Sequence, residues 1–179
     1  MSVNIVLFVF STAIFLYLLY RWLKWGDSSG EGNESIAKIA EWKTNVPYTR
    51  LISEIIHFTG PLLSNKNIKK YPTFKIYYYK HRKFAGFYNS IVVIYLKSNP
   101  NIPTLVNTVL HEIMHYTQSQ TDKQYKRYDE FTNTYGYWEN PFEKQARAWA
   151  AQNSDACIKY LASKQLIVKK QLSPTLIKP

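Results

Sequence analysis

The amino-acid sequence of 179 residues predicts a small α+β domain behind an N-terminal transmembrane helix. Three observations lead to this fold class. Residues 1–20 carry no charged side chain, several later segments have apolar residues at helical spacing, and residues 73–79 and 87–96 are rich in aromatic and β-branched residues. A hydrophobic content of 46% excludes a disordered chain, and the single cysteine excludes both a disulfide-stapled scaffold and a cysteine-based zinc finger.

Residues 1–25 are predicted to form a transmembrane anchor. As a helix, residues 1–20 would span about 30 Å, the thickness of the hydrocarbon core of a bilayer. A cleaved signal peptide is the alternative, but no basic residue precedes the apolar stretch and no small-residue cleavage site follows it. Because Arg21 and Lys24 follow the stretch, the positive-inside rule predicts that the domain behind it lies on the cytoplasmic side.

The positive charge of the chain belongs to the domain behind the anchor. Lys and Arg number 23 against 12 Asp and Glu, which gives a net charge of +11, whereas residues 1–33 are net neutral. We predict a flexible linker over residues 26–33, a single domain over residues 34–172 and a loose tail over residues 173–179. A basic domain tethered to a membrane is attracted to anionic lipid, by about 1 kcal/mol for each nearby Lys or Arg.

The domain is predicted to begin with two helices. The first follows Asn33, a residue suited to the N-cap, and ends at Pro47. The second covers residues 48–58, where apolar residues recur at helical spacing, and Gly60 and Pro61 stop it.

A β-hairpin is predicted next. Residues 73–79 alternate in the manner of a strand, and residues 87–96 are apolar on both faces, as in a strand covered on both sides. The loop between them, residues 80–86, ends in Gly86, which is available for a positive φ angle.

Two further helices are predicted in the C-terminal half. Pro100, Asn101 and Pro103 mark the entry to one of them, which runs to about Gln118. The other begins at Asn140 and Pro141 and runs to about Ser163. The polar stretch at residues 119–138 is predicted to be a loop. Cys157, within the second of these helices, is interpreted as a small core residue rather than a nucleophile.

The residues that indicate chemistry are His111, Glu112 and His115, in an H-E-x-x-H pattern within the first of these helices. Residues four apart lie on the same helix face, so the two imidazoles can bind one Zn²⁺ ion. Glu112 can then act as the general base towards a zinc-activated water.

A third zinc ligand is expected farther along the chain. The position where a third histidine would stand in the longer form of the motif is Thr121. Glu143, in the first turn of the next helix, is the preferred third ligand, and Glu139 and Asp129 are the alternatives. An acid in a first turn is also favoured by the helix dipole without any metal.

HEIMH followed by ENPFEKQA resembles the zincin metallopeptidases, in the branch whose third ligand is a glutamate on a following helix. The pattern is similar to small peptidases encoded by phages and other viruses, over about residues 70–155. The resemblance implies a zincin-like α+β domain in which zinc is bound by His111, His115 and Glu143. It also implies that the outer strand of the hairpin pairs with an extended peptide substrate.

Zincins also stabilise the oxyanion that forms when water attacks a carbonyl, generally with a Tyr, His or Arg. The resemblance therefore implies such a residue, and the candidates are Tyr116, Tyr135, Tyr137 and Arg147. Gln118, one turn beyond His115, either orients that histidine or is a solvated residue at the helix end.

Our leading hypothesis is a membrane-anchored zinc peptidase. The alternative is a non-catalytic, basic, membrane-associated structural or binding protein, for example a virion membrane component, with a structural or vestigial metal site. On that reading the domain would lie inside the virion. A third possibility is a nucleic-acid-binding module that uses Lys80, Arg82 and Lys83 beside aromatic residues, although a solvated hairpin tip is the preferred interpretation of that segment.

Overall fold

The computed structural model describes residues 42–169, which fold as an α+β domain and confirm the predicted class. The predicted anchor, linker and tail lie outside the described residues, as do the ends of the predicted domain. None of the helices in residues 42–169 combines the length and the apolar character needed to cross a membrane. The elements, in order, are β1 (Trp42–Thr44), α1 (Tyr48–Phe58), α2 (Gly60–Asn65), β2 (Phe74–Tyr77), β3 (Gly86–Asn89), β4 (Ile91–Tyr95), α3 (Ile102–Thr121), α4 (Tyr128–Tyr135), α5 (Pro141–Ser163) and β5 (Ile167–Lys169), with 3₁₀ turns at Leu96–Ser98 and Lys123–Arg127.

Helix α3 is the centre of the domain. It contacts α1 and α5 as well as the strands β3 and β4. Most of its apolar residues are buried in one core with residues of α1, β4 and α5, and this core includes Val109, Leu110, Ile55, Ile94 and Leu161. The long helix that carries the H-E-x-x-H pattern is therefore held from several sides.

The predictions for helices α1, α3 and α5 are confirmed. Asn101 caps α3 by accepting a hydrogen bond from the Thr104 N–H at 2.8 Å, and Asn140 caps α5 by accepting one from the Phe142 N–H at 2.9 Å. Cys157 is buried in the core, as predicted, and burial raises the pKa of its thiol to about 12.

The predicted hairpin between residues 73–79 and 87–96 is wrong. The segment predicted as one strand is divided into β3 and β4, because the chain reverses at Ser90, whose φ angle is 58°. Strand β4 lies in the centre of a three-stranded sheet, antiparallel to β3 and parallel to β2. Residues 78–85 therefore form a crossover between β2 and the hairpin, not a hairpin loop.

Gly86 does not adopt the positive φ angle that was expected of it. In the described part of the chain, the glycine with a positive φ angle is Gly136. Gly86 instead allows a close approach between β3 and α3. A Cβ atom at this position would lie 2.8 Å from Cγ2 of Thr108 and 3.0 Å from the Val93 carbonyl oxygen. This close approach brings β3 beside the helix turn that contains His111.

Three further predictions are corrected. The predicted helix ending at Pro47 is contradicted at residues 42–44, which form β1 and pair with β5, a strand that was not predicted. Gly60 and Pro61 do follow the end of α1, but they also begin the short helix α2, because proline is compatible with a first helical turn.

Residues 119–138 are not a simple loop, since they contain the end of α3, a 3₁₀ turn and α4. No residue from 121 to 139 is buried, which explains why apolar spacing gave no helix signal there.

Candidate metal centre

Three of the predicted site residues meet in space. Nε2 of His111 lies 3.0 Å from Nε2 of His115. The Glu143 carboxylate contacts both rings, with Oε2 at 3.3 Å from Nε2 of His111 and Oε1 at 3.0 Å from Nε2 of His115. One ligand atom from each residue lies within 4.8 Å of the others, so the three side chains can contact a common ion.

Two packed helices produce this arrangement. His111 and His115 lie one turn apart on α3, and their ring centroids are 4.7 Å apart with an interplanar angle of 83°. Glu143 lies in the first turn of α5, the helix that packs along α3, and Asn140 fixes the start of that turn. The dipole of α5 also favours the negative charge of Glu143 at this position.

The alternative third ligands are not part of this cluster. The Glu139 side chain is 64% exposed and forms an ion pair with Lys144. Asp129 lines the same cleft but does not belong to the group of converging ligand atoms. Glu143, which is 2% exposed, is therefore the acid that the structure places against both histidines.

The three side chains are coupled electrostatically. Burial acts to raise the pKa of Glu143, but hydrogen bonds with His111 and His115 outweigh it and hold the pKa well below the usual range. Burial lowers the pKa of His111. At His115 burial also acts to lower the pKa, but the hydrogen bond with Glu143 and the negative charges of Glu143 and Glu112 together outweigh it and raise the pKa. Glu143 thus stays ionised and remains available as an anionic ligand.

Glu112 lines the cleft next to the cluster but is not one of its members. It is 5% exposed, and its Oε2 atom is buried without a hydrogen-bond partner among the described residues. Burial, with a smaller effect from Glu143, raises its pKa to about 8. An unpaired, buried carboxyl group of this kind is unusual in a purely structural role.

Gln118 holds His115 in place. Its Oε1 atom lies 2.8 Å from Nδ1 of His115, and its Nε2 atom donates to the Phe142 carbonyl oxygen at 3.0 Å and to Oε1 of Gln145 at 2.9 Å. Gln118 is 3% exposed, so the alternative of a solvated residue at the helix end is wrong. Its contacts fix the orientation of one imidazole and link α3 to α5.

Glu143 is held in a comparable way. The hydroxyl group of Tyr128 donates to Oε1 of Glu143 at 2.5 Å, and Nη1 of Arg147 lies 3.5 Å from Oε2. The Arg147 guanidinium also lies over the ring of Trp138, 4.9 Å from its centroid. Sequence reasoning missed Tyr128, because nothing in the pattern distinguishes it among 15 tyrosines.

The candidates for oxyanion stabilisation fall into two groups. Tyr137 lines the cleft, and Arg147 contacts Glu143 as described. Tyr116 and Tyr135 do not line the cleft: the hydroxyl group of Tyr116 donates to the Lys70 carbonyl oxygen at 2.8 Å, and Tyr135 is 54% exposed. Tyr125 also lines the cleft, and no sequence pattern indicated it.

The cleft beside the cluster has a volume of about 380 Å³. Strand β3 forms one wall, and residues 125–137 contribute to the opposite wall. In the sheet, the Tyr95 N–H donates to the Ala85 carbonyl oxygen, whereas the Val92 N–H donates towards β2, to Thr73. By this alternation the backbone groups of Gly86 and Tyr88 point away from β4, so among residues 42–169 β3 is an edge strand whose outer hydrogen-bonding groups have no strand partner.

Comparison with protein-family models, curated proteins and solved structures found no match for this chain. The resemblance to the zincins rests on the two sequence motifs alone.

Proposed function

We propose that this protein is a zinc-dependent hydrolase that cleaves peptide bonds. The observation that carries the proposal is the convergence of His111, His115 and Glu143, with ligand atoms 3.0–3.3 Å apart. Next to them lies Glu112, a buried carboxyl group with one oxygen atom that no residue in the described part of the chain contacts by a hydrogen bond. The cluster and the unpaired acid share one open cleft.

The donor set fits zinc. Two imidazole nitrogens and one carboxylate oxygen are a ligand set of catalytic zinc sites, which leave the fourth position open. With ligand distances of about 2.0–2.1 Å, tetrahedral coordination requires donor atoms about 3.3 Å apart. The donor atoms of His111, His115 and Glu143 already lie at nearly this spacing.

Zinc at this position would act as a Lewis acid and lower the pKa of water. Burial raises the pKa of Glu112, but the positive charge of a bound zinc ion would favour its ionised form. In the proposed reaction, this carboxylate accepts the proton of the attacking water and then transfers it to the leaving amine nitrogen. The hydroxyl groups of Tyr125 and Tyr137, which line the cleft, are the candidate donors to the developing oxyanion. Gln118 and Tyr128 hold the ligands at their positions throughout.

The proposed substrate is an extended peptide that lies along β3. The free backbone groups of Gly86 and Tyr88 face the cleft side of the sheet edge, where a peptide strand can add to the sheet. The resemblance to the zincins implies the same mode of peptide binding. The strand that would pair with the peptide is β3, the outer strand of the hairpin formed by β3 and β4. We accordingly propose that the domain is zincin-like.

The proposal includes the membrane anchor at residues 1–25, on the sequence grounds given above. The domain would then lie on the cytoplasmic side. Expression of the full chain in bacteria with a C-terminal reporter tests this orientation. Fluorescence of a fused green fluorescent protein with no activity of fused alkaline phosphatase is expected, and the reverse result would overturn the orientation.

Metal analysis tests the zinc site. The purified full chain in detergent is expected to hold about one zinc ion per molecule, and His111→Ala is expected to lose it. His57→Ala is the matched control, because His57 is exposed and lies outside the cluster. Equal trace zinc in the wild type, His111→Ala and His57→Ala would remove the basis of the proposal.

A second variant separates metal binding from catalysis. Glu112→Gln keeps the shape of the side chain and is expected to retain zinc but lose cleavage of a fluorescein-labelled, unfolded protein substrate. Undiminished turnover in this variant would exclude Glu112 as the base. A zinc-loaded wild-type protein that cleaves no unfolded substrate would favour the alternative of a non-catalytic membrane protein.

A further inference from the structure

Helix α3 covers one face of the three-stranded sheet, and no described helix covers the opposite face to the same extent. Val92 and Ile94 of β4 point into the core, and α3 packs against β3 and β4. Val93 and Tyr95 alternate to the opposite face. On that face the register places Tyr77 of β2 opposite Tyr95.

Aromatic side chains form a continuous column on this face. The ring of Tyr95 stacks on Tyr77, with centroids 5.4 Å apart, and on His81, with centroids 4.7 Å apart. His81 stacks in turn on Phe84, with centroids 5.2 Å apart. Nδ1 of His81 accepts hydrogen bonds from the backbone N–H groups of Lys83 and Phe84, which fixes the crossover segment against the column.

The surroundings of the column are strongly basic. Residues 55–111 contain eight Lys and Arg residues and no Asp or Glu. Four of these cations lie in or next to the column's own segments, and all four are exposed: Lys75, Lys80, Arg82 and Lys83. None of the four forms an ion pair with another described residue.

Exposed aromatic side chains accompany these cations. Tyr78 is 62% exposed, Tyr79 is 49% exposed and Phe84 is 44% exposed. Aromatic rings beside Lys and Arg are the combination that places a protein surface at the headgroup level of a bilayer. Single-stranded nucleic acid requires ring faces that are free to stack on bases, whereas Phe84 already stacks on His81 and Tyr79 packs against Tyr95.

We propose that this surface, formed by Tyr78, Tyr79 and Phe84 with Lys75, Lys80, Arg82 and Lys83, docks on an anionic lipid bilayer. Phe84 also lines the cleft beside the candidate metal centre. Docking would therefore place the mouth of the cleft at the membrane surface. That consequence rests on the proposed function, but the docking itself does not.

A fluorescent label on the surface tests the proposal. Cys157 is the only cysteine and is buried, so a cysteine introduced as Tyr78→Cys accepts an environment-sensitive dye selectively. The full chain is measured without lipid, with phosphatidylcholine vesicles, and with vesicles that also contain phosphatidylserine. Blue-shifted emission and quenching by brominated lipid are expected only with phosphatidylserine, and both should weaken at high salt.

Charge variants and a second label position complete the test. Replacing the four cations by Gln is expected to lower the ratio of docked to undocked label about fivefold for each charge removed. The control replaces Lys43, Arg50, Lys123 and Lys159, which are exposed and lie outside the surface, and should leave the ratio unchanged. A dye at Gln152→Cys on α5 should remain in water.

Three outcomes would overturn the proposal. A dye on the Tyr78→Cys variant that remains in water in every vesicle preparation would exclude docking. A dye that is already shielded without lipid would assign the surface to another segment of this chain. Salt-sensitive binding of a single-stranded oligonucleotide, abolished by the four Gln replacements while vesicles have no effect, would assign it to nucleic acid. None of these readouts depends on zinc or on peptide cleavage, so they are independent of the test of the proposed function.

Discussion

The hydroxyl group of Tyr128 lies 2.5 Å from Oε1 of Glu143, the same carboxylate oxygen that lies 3.0 Å from Nε2 of His115. These two residues come from different helices, α4 and α5, and are 15 positions apart. The contact restricts the rotation of the carboxylate and keeps it directed at the two histidines. Tyr128 is thus a positioning residue for the proposed third ligand.

Removal of this hydroxyl group should weaken metal binding. Tyr128→Phe is expected to lower zinc affinity about 10- to 100-fold, as is typical for groups that hydrogen-bond to a metal ligand. Competition with a chromophoric chelator measures the change. Tyr135→Phe is the matched control, because Tyr135 is 54% exposed and outside the cleft. Equal affinities in both variants would show that Tyr128 does not position Glu143.

Gln118 should contribute to the stability of the domain as well as to the site. Gln118→Ala leaves Nδ1 of His115 and the Phe142 carbonyl oxygen without their present side-chain partner, and unpaired buried groups cost about 1–3 kcal/mol. Urea unfolding in the presence of a chelator, which excludes any effect of metal, measures this loss. Gln120→Ala, at an exposed position two residues away, should change the free energy of unfolding by less than about 0.5 kcal/mol. A loss in Gln120→Ala as large as that in Gln118→Ala would contradict the assignment.

Gly86 should not tolerate a side chain. Gly86→Ala places a methyl group 2.8 Å from Cγ2 of Thr108, and overpacking of this kind costs about 1–3 kcal/mol. Thr108→Ser removes Cγ2 but retains the hydroxyl group that donates to Asn99 at 2.7 Å. The double variant Gly86→Ala/Thr108→Ser should therefore recover part of the lost stability in thermal unfolding. No recovery would show that contact with the Val93 carbonyl oxygen, at 3.0 Å, is the limiting one.

Glu54 should make stability depend on pH in the acid range. Lys164 donates to its Oε2 atom at 3.0 Å and Tyr160 donates to it at 3.2 Å, which ties α1 to the end of α5. The hydrogen bond from Lys164 lowers the pKa of Glu54 below its ordinary value of 4.5 in the folded state. Because the folded pKa is the lower one, this contribution is complete above pH 4.5 and is lost as pH falls through the folded pKa.

Comparison of Glu54→Gln with the wild type checks this sign. The variant should be slightly less stable near neutral pH, with a small effect because the Lys164 partner is largely exposed. The difference should disappear as the pH is lowered below 4.5. Asp155→Asn, at an exposed residue that forms no ion pair with the described residues, is the control. A difference that grows at acid pH would contradict the argument.

Helices α1, α3 and α5 could be predicted from the sequence because their signals are local. The apolar spacing of α1 and α3 and the caps at Asn101 and Asn140 depend only on nearby residues. Strand pairing is not local, and the sequence identified strand-forming segments without indicating their partners. Ser90 is a weak turn signal, so the division into β3 and β4 was missed together with the parallel pairing of β2.

In the candidate site, too, the local patterns could be predicted, whereas the contacts between elements could not. Helical spacing indicated that His111 and His115 share a face, and the position of Glu143 near the start of the next helix made it the preferred partner. The contacts of Tyr128 with Glu143 and of Gln118 with Gln145 depend on how α4 and α5 lie against α3, which no single-helix pattern encodes. The polar segment before α5 gave no signal at all, because it buries none of its residues.

Residues 121–139 include the half-buried Tyr125, Tyr128 and Tyr137, which line the cleft, yet the segment contributes nothing to the hydrophobic core. Sequence change is tolerated best where no core packing is disturbed. Insertions or exchanges in this stretch could therefore reshape one side of the cleft while the histidine-bearing helix stays intact. For a protein engineer, it is the natural place to build a library with altered selectivity, with Tyr128 kept constant.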